Sequence, residues 1–145
     1  ESLNPWLKKI YLNNVKAFAG PFPPNNIRKI FLYNCSGLKT FQGMENIPFI
    51  ELDRCPISVH ELAKLNARTK LLKDLDPILL ENYDCLTFCE SLFIRKTVIM
   101  KQIQLPQLKE LSLQDCKVST NIFESGHYLE QLRSLQIINC TFISS

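Results

Sequence analysis

An apolar residue at positions 1, 4 and 6 of a nine-residue segment, usually with Cys at position 9, recurs along this chain. LKELSLQDC carries it as Leu108, Leu111, Leu113 and Cys116, and LRSLQIINC as Leu132, Leu135, Ile137 and Cys140. IRKIFLYNC (Ile27, Ile30, Leu32, Cys35) and IPFIELDRC (Ile47, Ile50, Leu52, Cys55) are two more copies. LKKIYLNNV (Leu7, Ile10, Leu12, Val15) has Val in place of Cys. A pattern that returns at a near-fixed interval dictates architecture before local propensity is consulted. Each copy is a unit too small to bury its apolar face alone, so it must stack on its neighbours.

Two weaker copies fall in the middle, LDPILLENY (Leu75, Ile78, Leu80, Tyr83) and CESLFIRKT (Cys89, Leu92, Ile94, Thr97). The sixth positions are then Leu12, Leu32, Leu52, Leu80, Ile94, Leu113 and Ile137, spaced 20, 20, 28, 14, 19 and 24 residues apart. The mean step is about 21, and the step of 14 is short for a normal repeat. Alternation around positions 4 and 6 predicts one short strand per copy. More than ten residues separate successive strands, so they pair in parallel. The segments that return the chain differ. Pro21, Pro23 and Pro24 predict an extended loop. Ser58 with Glu61 forms a capping box, and Leu62, Leu65 and Leu72 share a face, which predicts a helix over 58–72. A shorter helix is expected within 120–132, broken near Gly126.

Six cysteines are present, and four of them hold the same repeat position. This is the usage of a small buried residue whose thiol faces backbone, not of a disulfide framework. It favours a reducing compartment, cytoplasm or nucleus, over an extracellular one. Asn34-Cys35-Ser36 and Asn139-Cys140-Thr141 fit the glycosylation pattern, but both span the expected buried ladder. Cys85 and Cys89 lack zinc-pair spacing and a second pair.

The pattern resembles the leucine-rich repeat superfamily, in a divergent form similar to its cysteine-containing intracellular members. The first three copies and the last two carry the resemblance most closely. It implies an α/β fold: a short irregular solenoid of about seven turns, with a parallel sheet on its concave side and loops and short helices on its convex side. It also implies protein binding, often on the concave side. Some members are substrate receptors with an F-box; no such segment occurs here. The expectation is a single repeat domain over 1–145, a fragment of a longer protein, because terminal repeats need polar caps.

Seventeen basic and fourteen acidic residues leave a net charge of +3, with the basic residues dispersed, LKK at 7–9 and RTK at 68–70 being densest. That is not the basic stripe of a nucleic-acid binder. No apolar run approaches the ~20 residues of a membrane span. His60 and His127 have no motif-placed nucleophile or carboxylate, and four glycines leave little material for a phosphate loop. The expectation is a protein with no catalysis, no cofactor, no metal and no small-molecule substrate.

Positions 3, 5 and 7 of each strand point away from the core. Position 5 reads Tyr11, Phe31, Glu51, Leu79, Phe93, Ser112 and Gln136; position 7 reads Asn13, Tyr33, Asp53, Glu81, Arg95, Gln114 and Ile138. Position 3 reads Lys9, Lys29, Phe49, Pro77, Ser91, Glu110 and Ser134. Tyr11, Phe31, Tyr33 and Phe49 thus gather on the N-terminal half of one face. The expected partner site comprises Tyr11, Lys29, Phe31, Tyr33, Phe49, Glu51, Asp53, Leu79 and Phe93. A hydrophobic centre with a charged rim suits a protein interface. Glu51, Asp53, Glu81 and Asp84 fit no EF-hand; they predict an acidic edge that meets a basic partner. Two functions fit: an adaptor or substrate-recognition scaffold, or a structural subunit of a larger assembly. An extracellular recognition domain is a remote third.

Overall fold

A computed structural model describes residues 3–18, 21–38, 40–56, 59–67, 69–74, 86, 89–100, 103, 105, 107–122 and 131–144. The chain forms a parallel-strand solenoid. Seven five-residue strands make one sheet in the order β1 (Lys9–Asn13), β2 (Lys29–Tyr33), β3 (Phe49–Asp53), β4 (Thr69–Lys73), β5 (Ser91–Arg95), β7 (Glu110–Gln114) and β9 (Ser134–Ile138). A second, three-stranded parallel sheet joins β6 (Val98–Ile99), β8 (Lys117–Ser119) and β10 (Thr141–Ile143). Each of its strands begins just after a position-9 residue. At two or three residues they are too short for a periodicity to register, so the sequence pattern does not predict them.

The register is uniform, with Leu12, Leu32, Leu52, Leu72, Ile94, Leu113 and Ile137 side by side. This corrects the repeat reading in the middle of the chain. The fourth strand is Thr69–Lys73, not one built around Ile78 and Leu80, and the steps become 20, 20, 20, 22, 19 and 24. The anomalous step of 14 disappears, while the copy around Leu92 and Ile94 keeps its register. Residues 75–83 lie outside the described residues. The expected helix over 58–72 is also corrected. Helix α1 covers Val59–Leu62 alone, and Leu72 belongs to β4. Among the described residues α1 is the sole α-helix, and no helix is long and apolar enough to cross a membrane. Most of the helix expected within 120–132 lies outside the described residues; Thr120–Ile122 form a turn.

The core runs inside the coil, behind the large sheet. Ile30, Leu32, Ile50, Leu52, Leu92, Ile94 and Leu113 are fully buried, joined by Leu38, Phe41, Met44, Leu62 and Leu65 from the return segments. The fourth position of β4 is Lys70, also fully buried, in the column otherwise held by Ile and Leu. Its four-carbon stem fills the apolar place, and its ammonium reaches the Leu65 carbonyl at 3.3 Å. Successive return segments approach closely. A Cβ on Gly37 would lie 2.1 Å from the Lys16 carbonyl carbon, and Gly43, at φ +93°, faces the Phe22 carbonyl.

Every strand of the large sheet ends the same way. The residue at position 8 adopts positive φ in all seven: Asn14, Asn34, Arg54, Asp74, Lys96, Asp115 and Asn139, between 51° and 58°. Asn and Asp tolerate this region; long side chains do so at a cost of roughly 1–2 kcal/mol. The turn directs the amide of position 8 at the position-7 carbonyl of the next strand, as in Asn14 to Tyr33 (2.9 Å), Asn34 to Asp53 (2.8 Å) and Asp115 to Ile138 (3.0 Å). It also swings position 9 inward. The thiols of Cys35, Cys55, Cys116 and Cys140 lie 3.3–3.5 Å from the sixth-position carbonyl of the preceding strand, Leu12, Leu32, Ile94 and Leu113 respectively. Thr97 does related work, its hydroxyl donating to the Arg95 carbonyl at 2.9 Å. Burial pushes the Cys55 and Cys116 thiols up, which keeps them protonated as donors. Cys89, at a first position, is pushed up to about 11 by burial, against the charge of Lys70, and its thiol faces the Ser91 carbonyl at 3.0 Å.

The ladder, the left-handed turns and the Glu61 carboxylate can each be tested by substitution. Cys55→Asp removes a donor and buries a charge, and it should cost about 3 kcal/mol or more; Cys55→Ser, which keeps a donor, should cost far less in the same urea titration. Equal midpoints for the two variants would refute the ladder. Lys96→Asn relieves a left-handed strain and should raise the thermal midpoint by about 2 °C; no rise contradicts that account. Glu61 supplies the pH dependence. Its carboxylate accepts from Lys64 at 2.6 Å and from the Phe41 amide at 3.2 Å. The hydrogen bonds from Lys64 and Thr40, with that from the Phe41 amide, outweigh burial and hold it down at about 2 against an ordinary 4.5. A lowered folded-state value stabilises above pH 4.5, and that stability is lost as pH falls towards 2. Glu61→Gln should therefore be less stable at pH 7 and show a flatter decline between pH 4.5 and 2. Parallel urea-midpoint profiles for the two proteins would contradict this.

Candidate protein-binding face

Strand alternation sends positions 4 and 6 into the core and positions 3, 5 and 7 outward, so the site is the outward face of the large sheet. Its position-5 column is Tyr11, Phe31, Glu51, Leu71, Phe93, Ser112 and Gln136, in direct register. Leu71 stands in the place the repeat pattern assigns to Leu79, and Leu79 lies outside the described residues. The shifted fourth strand likewise puts Thr69 and Lys73 in the places read as Pro77 and Glu81. An unbroken twenty-residue step from Leu52 is the signal that could have found them.

The four N-terminal rings come together as expected. Tyr11 and Phe31 stack at 4.4 Å between centroids with planes 10° apart. Tyr33 lies 6.3 Å from Phe31 and 6.5 Å from Tyr11, near-parallel to both. Phe49 sits 5.5 Å from Phe31, tilted by 48°. Each such pair contributes about 0.5–1.5 kcal/mol beyond simple burial. The rings therefore hold one another in place. Tyr11 at the edge is 59% exposed, while Phe31, Tyr33, Phe49 and Phe93 are half-buried. Lys29 places its ammonium 5.6 Å from the Phe49 ring centroid, a cation–π contact. Trp6, which no repeat position singles out, stands 85% exposed ahead of β1.

Of the acidic residues of the expected site, Asp53 is engaged within the protein. Asp53 is buried, with one carboxylate oxygen 3.3 Å from Arg54 Nε and the other 3.5 Å from Lys73 Nζ. The first of these is an ionic contact without hydrogen-bond alignment. Burial first, then the nearby Glu51 carboxylate and the charges of Tyr11 and Asp53, hold the Tyr33 hydroxyl well above the usual tyrosine range. Glu81 and Asp84 lie outside the described residues. The basic residues differ. Lys8, Lys9, Arg28 and Lys29 are exposed at the starts of β1 and β2, and none makes an ion pair among the described residues.

Two depressions are lined by described residues. A shallow depression of about 90 Å³ lies at the other end of the face, lined by Phe93, Glu110, Leu111, Ser112, Ser134 and Gln136. A cleft of about 260 Å³ lies among return segments, lined by Pro24, Asn25, Ile27, Gly43, Glu45, Asn46 and Ile47. Both fall below the roughly 300–1,000 Å³ of typical small-ligand sites. Among the described residues no three His, Cys, Asp or Glu side chains group to hold a metal. His60 is exposed on α1, and His127 lies outside the described residues. Compared with protein-family models, curated proteins and solved structures, the chain finds no match.

Proposed function

We propose that this chain is a non-catalytic protein-interaction module of the leucine-rich repeat type, α/β in class, which docks a protein partner on its outward sheet face. The observation that carries the reading is the fixed aromatic cluster of Tyr11, Phe31, Tyr33 and Phe49, brought level on one face by strands in register. Aromatic rings are enriched among residues that dominate binding energy, and rings already ordered lose little entropy when a partner arrives. The role is that of an adaptor or substrate-recognition scaffold. Five described cysteines are unbonded thiols, four of them serving as ladder donors, which supports a reducing, intracellular setting over an extracellular one.

A second reading, a subunit of a larger assembly, rests on a different surface. Leu135 and Ile137 occupy core positions of β9 yet are 46% and 37% exposed, and Phe142 on β10 is 49% exposed. Apolar residues on the core side of an edge strand are the kind of surface that a further turn of the chain or a neighbouring subunit covers.

One experiment separates the two. The chain is immobilised and used to capture proteins from native lysate, alongside Phe31→Ser/Tyr33→Ser and Leu135→Glu/Phe142→Glu, each checked for an intact thermal transition. The sheet-face reading expects captured partners to fall about tenfold in the first variant and to persist in the second. The reverse pattern overturns it in favour of the assembly reading. Equal capture by all three proteins overturns both.

A further inference from the structure

The charge on the aromatic face is sorted, and the sorting indicates a partner. Of the acidic residues there, Asp53 is buried between Arg54 and Lys73. The neighbouring cations are not used in this way. Lys9 and Lys29 are register partners on β1 and β2, and Lys8 and Arg28 immediately precede them. The Lys8 carbonyl accepts from both the Arg28 and Lys29 amides, at 2.9 and 3.1 Å, so two consecutive basic pairs are locked side by side. Adjacent parallel strands lie ~4.8 Å apart. Four like charges at that spacing repel one another, and all four are exposed with no carboxylate opposite among the described residues. Lys29 borders the aromatic cluster directly, its ammonium lying over the Phe49 ring and its strand carrying Phe31.

Resting on the reading of this face as a protein-docking surface, we infer that its partner is an acidic peptide segment with apolar side chains. The carboxylates meet Lys8, Lys9, Arg28 and Lys29 at the starts of β1 and β2, while the apolar side chains settle on the Tyr11, Phe31 and Phe49 rings. This reverses the polarity expected from the acidic residues of the sequence, because Asp53 is held between two cations while Lys8, Lys9, Arg28 and Lys29 make no ion pair among the described residues. Electrostatic matching of this kind steers association and discriminates partners. A single-stranded nucleic acid uses the same two features, basic groups and rings. Here the rings stack on each other at 4.4 Å, which leaves no gap for a base between them. The peptide is therefore the better fit.

The test pans a random dodecapeptide display library against the wild-type chain, Lys9→Glu/Lys29→Glu and Phe31→Ser/Tyr33→Ser. The readouts are the net charge and aromatic or aliphatic content of enriched peptides, and their affinity by fluorescence anisotropy at low and high salt. Wild type should enrich acidic, apolar-containing peptides that bind about tenfold more weakly in high salt and to the charge-reversed variant. Enrichment of neutral or basic peptides that still need Phe31 and Tyr33 overturns the acidic-partner inference while leaving the docking face standing. Enrichment indifferent to Phe31 and Tyr33, or none above a blank surface, overturns both. A dodecamer of oligodeoxythymidine bound more tightly than any enriched peptide assigns the face to nucleic acid instead.

Discussion

At the end of each strand of the large sheet the chain passes through a residue with φ between 51° and 58°, and the regularity of the whole stack depends on that turn. The left-handed residue turns its amide towards the next strand, which sets the spacing and register of the neighbour. It also delivers the next side chain to the inside, where a thiol meets a carbonyl of the strand before. A buried carbonyl left unpaired costs about 1–3 kcal/mol, so repeating this contact at successive turns stabilises the stack substantially. Cysteine suits the place because it is small, tolerates burial and still carries a donor. Asn and Asp suit the place before it because they accept the left-handed region, and their side chains link turns, as Asn34 does to Asn14 at 2.7 Å. The apolar triplet drives stacking, and the turn makes the stacking regular.

How far this was legible depended on whether a residue's job showed in its type. Ile, Leu and Cys at fixed offsets announced six of the seven large-sheet strands, because burial and thiol donation restrict those positions to few residues. The fourth strand hid itself. Its first position is Ala67, its fourth is Lys70, and only Leu72 keeps the motif. A lysine reads as solvent-facing, yet this one lies in the core with its ammonium on a carbonyl. The leucines that suggested a helix over 58–72 are indeed buried, but on two different elements, since Leu62 closes α1 while Leu72 lies in β4. Three apolar residues at helical spacing are ambiguous when a return segment and a strand adjoin. A twenty-residue step carried forward from Leu52 was the stronger constraint, because register propagates through the whole sheet.

Of the candidate site, the part governed by strand alternation was readable and the part governed by pairing was not. Tyr11, Phe31, Tyr33 and Phe49 share a face because odd positions must, and parallel strands with equal steps bring them level. Which charges remain available is a tertiary matter. Asp53 looks like a rim residue in the sequence, but it sits against a cation from β4. The β4 cation is Lys73, which the fourth strand's true register brings beside Asp53. The same shift that repaired the repeat therefore changed the electrostatic reading of the face.

Rigidity gives that face its value as a platform. Its rings lie on central and edge strands whose backbones are hydrogen-bonded in register, and Phe31 is in contact with three other rings. Half-buried aromatic side chains have already lost most of their rotamer freedom in the free protein, so a partner encounters them ordered. Exposed lysines are the opposite, long and mobile, and they act best at range by steering and by selecting charge. In the proposed role, an ordered apolar centre and a mobile basic border would divide the work of recognition, the centre holding a segment that has arrived and the border selecting which segments arrive. Both are built from the same two strands, whose relative position is set by the Asn14 turn and its bond to the Tyr33 carbonyl. A change at that turn, far from any partner, would disturb the two functions together.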